Sequence, residues 1–534
     1  MANKKVSELT TLDYSDGNEE LIVNDGGISK KITQADLLDC HHPTSTSSLG
    51  VGRLTLSVNT GGANTAVGYT ALRYNTTGER NTALGYRTLL NNTTGVRNVC
   101  VGHDTLANNT TGGYNTIMGY QAGYNSTTAS GNTVIGYQAF YYNTTGATNT
   151  AIGREALQKN TTGNDNVGVG YQALFSNTTG DYNVAIGKSA LYNNTTANNN
   201  NALGYQALYY NTTGSQNVAL GTTALLNNTT GIDNVGVGYQ ALYQNTTGNY
   251  NVAIGREAME NNTTARYCQA IGYRAMWSNT TGERNIAMGH SALYNNTTGA
   301  HNVALGYTAL TNNTTAIGNT ALGYQTLYSN TTGASNTAVG YLSMFDNTTG
   351  EHNIAIGRES LRKNTTGTYN SGLGRYALYW NTTGIQNTAI GINALRYSTT
   401  SDNNTANGVN SLFSNTTGSG NTAVGVTSMD SNTTGINNTA LGRSALDTTT
   451  TGSNNTGLGY NADASSATVS NEITLGDSAV TALRCNVTTI TSLSDERDKD
   501  NIQDLDAGLE FINNLRPVRF DWNMRDGGKV GVND

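Results

Sequence analysis

The chain has almost no proline: two in 534 residues, Pro43 and Pro517. The long stretch between them is free of the residue that removes a backbone donor from a ladder. Charge is scarce too. Only 12% of residues are Asp, Glu, Lys or Arg, and the formal net charge is -7. Without a basic patch, binding driven by phosphate neutralisation is excluded, so no nucleic-acid partner is expected. No stretch of 18 apolar residues occurs, so no membrane insertion by a helix is expected. The opening "MANKKVSELTTLDYSDGNEEL" lacks the apolar core of a secretory signal. Four cysteines, Cys40, Cys100, Cys268 and Cys485, lie far apart and fit no disulfide or metal framework. Cys40 precedes His41 and His42, but three adjacent ligand types do not make a four-ligand zinc site. There is no phosphate-binding glycine loop and no calcium-repeat pattern, so no cofactor is expected. A polysaccharide-degrading enzyme would carry acidic pairs on a non-repetitive domain, and none is found.

What is present is repetition. From Asn64 to Asn455, every seventeenth residue opens a new copy, 24 in all, without insertion or deletion. Only Cys268 replaces the opening Asn. The fifth residue is Gly in all 24, from Gly68 to Gly459, and Thr-Thr recurs from Thr76-Thr77 to Thr450-Thr451. The consensus is N-[TV]-A-[VIL]-G-Y-x-A-L-x-x-N-T-T-G-x-x, whose residues are numbered as positions 1 to 17 below. A strict period means that each copy is clamped in register by its neighbours, as in a solenoid. Seventeen residues are too few for a helix pair. "NTAVGY" (Asn64 to Tyr69) reads as a short strand. "TALRYN" (Thr70 to Asn75) fits a strand or one helical turn, and "NTTG" is a polar turn. The expected fold is all-β, a repetitive β-solenoid or β-roll of 24 coils. At about 4.8 Å per coil it is a rod of about 115 Å.

Each column of the repeat becomes a ladder along the rod. Stacked Asn side chains can hydrogen-bond to one another, which explains the opening Asn without a ligand. The Gly at position 5 implies a tight bend or a close approach of backbone. The Gly at position 15 is replaced by Ala at 129, 197, 265 and 316 and by Ser at 401, so a left-handed conformation is not required there. The many N-x-T sequons are read as turn residues, not glycan acceptors. One Ala-[VIL] pair and one Ala-Leu pair per coil form a thin apolar core, set against about 1–2 kcal/mol of chain entropy per residue. Burial against further copies is therefore expected. Position 9 is apolar in 22 of the first 23 copies, with Gly123 the exception. Position 6 is Tyr in 12 of 24 copies, Arg or Lys in six, and His at His103 and His290. Tyr69, Tyr86, Tyr120, Tyr137, Tyr171, Tyr205 and Tyr239 are thus a candidate receptor-facing ladder. The same column also reads as a stack that stabilises the coil. Ice binding by the Thr pairs is disfavoured, because adjacent strand residues point to opposite faces.

Outside the repeat the pattern changes. Residues 1–45 read as a separate N-terminal module and 46–63 as a degenerate lead-in. The repeat rod occupies 64–461, a β-rich connector 462–493, and a C-terminal segment 494–534. In that segment "LDAGLEFINNL" (Leu505 to Leu515) has helical spacing and "VRFDW" (Val518 to Trp522) reads as a strand.

Two resemblances follow from these motifs. The "NTAxGYxAL" repeat resembles the head repeats of trimeric bacterial autotransporter adhesins, which are trimeric β-rolls. That likeness implies a homotrimer, but neither the secretion signal nor the membrane anchor of those adhesins is found. "SLSDERDKDNI" followed by "LRPVRFDW" resembles the endosialidase-type intramolecular chaperone domain of bacteriophage tail fibres and spikes. The likeness implies an α+β domain that promotes trimerisation and then releases itself by a serine-lysine mechanism. Carried over, Ser494 is the nucleophile, Lys499 its base, and Ser494–Asp495 the cleaved bond. Because the family's domain continues past its "RPVxFxW" strand, a truncated copy is expected. The "SELTTL…ISKKITQADLL" leader looks like those that attach such fibres to the virion. The resemblances together imply a phage fibre: a homotrimeric rod, made in the host cytoplasm and carried on the virion. Its module 1–45 would bind a virion structural protein, and its rod a host surface polysaccharide or protein. A cellular surface adhesin or filament built from the same repeat is the alternative.

Overall fold

The computed structural model describes residues 21–25, 28–32, 48–482, 484, 522–523 and 529–530. All regular structure among them is β. β1 (Leu21–Asp25) and β2 (Ile28–Ile32) form an antiparallel hairpin. From β3 (Leu49–Val51) through β4 (Thr65–Val67) to β28 (Ile473–Leu475), each coil contributes one three-residue strand. Each of these strands lies parallel to the next, and β3 and β28 are the two ends of the ladder. β29 (Trp522–Asn523) and β30 (Lys529–Val530) pair antiparallel. Two compact units divide the chain, Met1–Asp477 and Ser478–Asp534.

The register is position to like position: Thr65 opposite Thr82, Ala66 opposite Ala83, Val67 opposite Leu84. The ladder therefore is a parallel β-solenoid with 17-residue coils, as the uninterrupted period predicts.

The second leg is neither strand nor helical turn. Residues at positions 7, 9 and 17 are left-handed; in one coil these are Thr223, Leu225 and Asp233, at φ 53°, 52° and 55°. Alternating handedness turns the donors of this leg toward neighbouring coils. Thr223 N–H reaches back to Tyr205 O (2.9 Å), while Leu225 and Asn227 N–H reach forward to Ala241 O (2.9 Å) and Tyr243 O (3.1 Å). A left-handed L-residue costs about 1–2 kcal/mol, and these inter-coil bonds offset it. The conformation also explains the composition. A side chain branched at Cβ is most strained at positive φ. Position 9 is Leu, Met or Phe wherever it is apolar, never Val or Ile. Thr enters position 7 four times, and at Thr70, Thr223 and Thr427 its hydroxyl bonds the preceding carbonyl, as Thr223 does to Thr222 O at 2.8 Å.

The core is narrower than the apolar pairs of the sequence imply. Along every strand from β4 to Thr456–Leu458 the middle residue is buried, and its two neighbours are half-buried or exposed. The [VIL] residue at position 4 points outward: Leu84 is 47% exposed and Leu441 53%. Alternation in the strand puts Ala at position 3 inside, and therefore positions 2 and 4 outside. The interior is built from the two Ala columns, the position-9 column and two Asn columns, all essentially inaccessible. Gly123 is accommodated by its own coil, where Ile117 takes the place of Ala and its Cδ1 occupies the space beside the glycine.

The two Asn columns are hydrogen-bonded stacks, interrupted at Cys268 in position 1 and at Ser126, Ser398 and Thr449 in position 12, where the Oδ1 of Asn109, Asn381 and Asn432 is left without a partner. At position 1, Asn81 Nδ2 donates to Asn64 Oδ1 (3.2 Å) and Gly95 O (2.9 Å), and Asn81 N–H donates to Asn64 Oδ1 (2.9 Å). At position 12, Asn211 Nδ2 donates to Asn194 Oδ1 (2.9 Å) and Gly214 O (2.8 Å). The position-12 Asn is the acceptor of each N-T-T sequon, and its carboxamide is buried, in line with the turn reading for these sequons. At Cys268 the stack changes: its Sγ donates to Gly282 O at 3.2 Å, and Asn285 Nδ2 keeps a bond only to Gly299 O. Burial pushes the Cys268 thiol up to about 11. It raises the Cys100 thiol as well, so both are unreactive core groups.

Position 5 needs glycine for both reasons that the sequence offers. Gly170 sits at φ +134°, and a Cβ there would lie 2.6 Å from Gly187 O of the next coil. Position 15 never has positive φ where Ala or Ser replaces Gly, in line with the substitutions.

Candidate functional site

The bend at position 5 carries the next side chain out of the sheet and into solvent. The position-6 residues therefore form a column along one corner of the coil. The seven candidate tyrosines are all exposed, from 39% at Tyr171 to 45% at Tyr137 and Tyr205. Rings in adjacent coils stack. Tyr69 and Tyr86 lie 5.4 Å apart, Tyr86 and His103 4.6 Å, His103 and Tyr120 5.2 Å, and Tyr120 and Tyr137 5.3 Å. Further along, His290, Tyr307, Tyr324 and Tyr341 repeat the arrangement. Where a cation interrupts, it lies over neighbouring rings, on both sides at Arg154 and Lys188 and on one side at Arg256. Arg154 is 5.5 Å from the Tyr137 ring and 5.7 Å from Tyr171; Lys188 is 5.7 Å from Tyr205; Arg256 is 5.5 Å from Tyr239.

Both sequence readings of this column meet in one geometry. The rings stabilise the coil by stacking, and they are also exposed. Stacking covers the ring faces between Tyr69 and Tyr137, so what these rings offer solvent is their edges and phenol hydroxyls. A ligand along this stretch is met by ring edges about 5 Å apart, one per coil, with phenol hydroxyls at Tyr69, Tyr86, Tyr120 and Tyr137 and the imidazole of His103 between them, rather than by open aromatic faces.

Three of the six cations, Arg154, Arg256 and Arg358, are held by carboxylates that the sequence reading did not single out. Arg154 Nε lies 3.0 Å from Glu155 Oε1, and Arg358 Nε 3.1 Å from Glu359 Oε1. Arg256 and Arg274 share Glu257, at 2.8 and 2.6 Å. The Arg274 hydrogen bond, followed by that of Arg256, holds the Glu257 carboxyl below its ordinary value against the opposing effect of burial. The signal was legible: an Arg-Glu pair at positions 6 and 7 recurs at 154–155, 256–257 and 358–359.

Two other features were missed. Position 10 carries a second aromatic stack, with Phe175 and Tyr192 at 5.0 Å and Tyr192 and Tyr209 at 5.0 Å. Between positions 11 and 13 runs a shallow groove of about 790 Å³, lined by Asn193, Tyr210, Asn227 and Gln244 on one side and by Thr195, Thr212, Thr229 and Thr246 on the other. Its threonine hydroxyls are partly spent on the coil, since Thr212 Oγ1 donates to Thr229 O at 3.1 Å.

Ser494 and Lys499 lie outside the described residues, as does the helix read at 505–515. Of the strand read at 518–522, only Trp522 is described, and it is in β29. Residues 494–533 match the family described as chaperone of endosialidase. No curated protein matches the chain. A parallel β-solenoid and, at its C-terminal side, the sequence of an endosialidase chaperone together fit a protein similar to phage tail fibres and endosialidases.

Proposed function

We propose that this chain is the rod of a homotrimeric phage appendage, displayed on the virion to reach a host surface. The joint occurrence of an uninterrupted solenoid and the chaperone match at 494–533 carries this reading. A long periodic rod exposes columns rather than a pocket, which suits attachment to a repetitive polysaccharide or surface protein. The position-6 column of tyrosines, histidines and cations is the surface offered to it, through hydroxyls and guanidinium groups. The N-terminal module is the part that joins the virion.

In this reading the C-terminal segment guides assembly and then leaves. Lys499 takes the hydroxyl proton of Ser494, and the Ser494–Asp495 peptide bond is hydrolysed, leaving a carboxylate on Ser494 and a free amine on Asp495. A lysine serves as such a base only when its surroundings lower its pKa enough to make it neutral.

A native mass spectrum of the expressed chain tests the proposal. Three chains with the segment after Ser494 released are the expected result, and Ser494→Ala is expected to keep three full-length chains. A trimer of uncleaved wild-type chains would refute the self-cleavage. A monomer near 56.2 kDa would refute the trimeric rod.

A further inference from the structure

The outward face of the solenoid sheet carries no charge. Its two columns are positions 2 and 4, which flank the buried middle residue of every strand. Position 4 is Val, Leu, Ile or Met in 23 of 24 copies, with Asn407 the exception. Position 2 is Thr, Val or Ile in 21, with Asn201, Gln269 and Ser371 the others. Neither column contains a single Asp, Glu, Lys, Arg or His in any coil. All these side chains are half-buried or exposed, for example Ile254 at 38%, Leu220 at 39% and Leu203 at 49%. By contrast, positions 6, 7, 16 and 17 hold charged residues in many coils.

Two residues along a strand and one coil along the rod span about 30 Å², so 24 coils present a strip of about 750 Å². A stable interface takes about 800 Å² from each partner, so this uncharged strip, apolar along its position-4 column, is of the size that a partner covers. Occupancy follows from the period. A partner must match the coil rise over 24 rungs without drift, and a second copy of the same chain does so by identity.

We infer that this face is the contact between copies of the chain, packed parallel and in register around an axis along the rod. The inference rests on the self-association proposed above and assigns it a surface. Register is set by the polar exceptions. Asn201, Gln269, Ser371 and Asn407 stand in the ninth, thirteenth, nineteenth and twenty-first copies, at unequal intervals of four, six and two. Only zero slip brings each polar rung level with its own counterpart, whereas a slip of one coil sets each against a Val or Ile of its own column, save Ser371 against Thr388. A single buried polar rung fixes register in coiled coils for the same reason. Parallel copies also bring their C-terminal segments to the same end, and they leave the position-6 column at the edge of the contact, open to solvent.

Cysteine labelling of the full-length protein tests this. Ile254→Cys and Tyr239→Cys place thiols on the strand face and on the position-6 column, both exposed in a single chain. After brief maleimide treatment, the modified sites are read by peptide mass spectrometry alongside a native mass. In the assembled protein Ile254→Cys is expected to lose its labelling and Tyr239→Cys to keep it. Ile254→Asp, with unchanged β-type circular dichroism, is expected to be monomeric. Equal labelling of both thiols in an oligomer would place the interface elsewhere and overturn the inference while sparing self-association. A monomeric wild-type chain would overturn both.

Discussion

The left-handed second leg makes a prediction that no reading based on hydrophobicity shares. Leu225 and Leu220 belong to one coil. Leu225 is buried at φ 52°, with its N–H bonded to Ala241 O; Leu220 is the last residue of a strand and 39% exposed. Changing either to Ile alters neither volume nor apolarity. At Leu225 the Cβ branch meets a backbone already in the left-handed well. The substitution should cost about 2–3 kcal/mol, beyond the 1.5 kcal/mol or less usual for isosteric core swaps. Leu225→Met keeps an unbranched Cβ, and Met already occupies this column at Met259, Met276, Met344 and Met429, so it should stay under about 1.5 kcal/mol. Leu220→Ile should change stability by less than about 0.5 kcal/mol, as Ile is common in its column. Because solenoids open locally, native-state hydrogen exchange at coils 217–233 and their neighbours is the suitable measurement. If Leu225→Ile and Leu225→Met agree within about 0.5 kcal/mol, the argument from backbone handedness is wrong.

Three further outcomes follow from the ladders. Asn211→Ala removes two donated bonds and the one accepted from Asn228 Nδ2 at 2.8 Å. At about 1 kcal/mol each, it should lower local stability by about 3 kcal/mol, with faster exchange confined to the adjoining coils. Cys268→Asn should restore the position-1 stack between Asn251 and Asn285 and raise stability by about 1–2 kcal/mol, read by the same exchange experiment. At the C-terminal end of the rod, burial first and then Asp463 push the Asp447 carboxyl up to about 6. The folded state thus holds this proton more tightly than an unfolded carboxyl near pH 4 does. The stability it contributes is present below pH 4 and lost as pH rises through 6. After correction for intrinsic rates, exchange in coils 438–476 should be slower at pH 5 than at pH 7.5, and Asp447→Asn should abolish the difference.

Self-stacking of a strict repeat left the coil, its register and its Asn stacks legible in the sequence. A seventeen-residue period without insertion admits little but a stacked coil, and a constant Asn in such a stack pairs with itself. Gly at position 5 announced both a bend and a close contact. The C-terminal motif pointed to the chaperone family that residues 494–533 match. Three things were not legible in the usual pattern of apolar and polar residues. The second leg was ambiguous because its handedness alternates, and hydrophobic periodicity carries no sign of φ; the only trace is the absence of Val and Ile from positions 7, 9 and 17. Arg256 and Arg274 share Glu257 because the coil rise brings residues seventeen apart to hydrogen-bonding distance, which linear spacing hides. The direction of the position-4 column was also misread as core. Within a three-residue strand, alternation allows the middle residue or the outer two to face inward, and the sequence offers apolar residues for both. Only the closed coil decides: it turns the middle residue of each strand inward beside the position-9 side chain, and the Val, Ile and Leu of position 4 then face out.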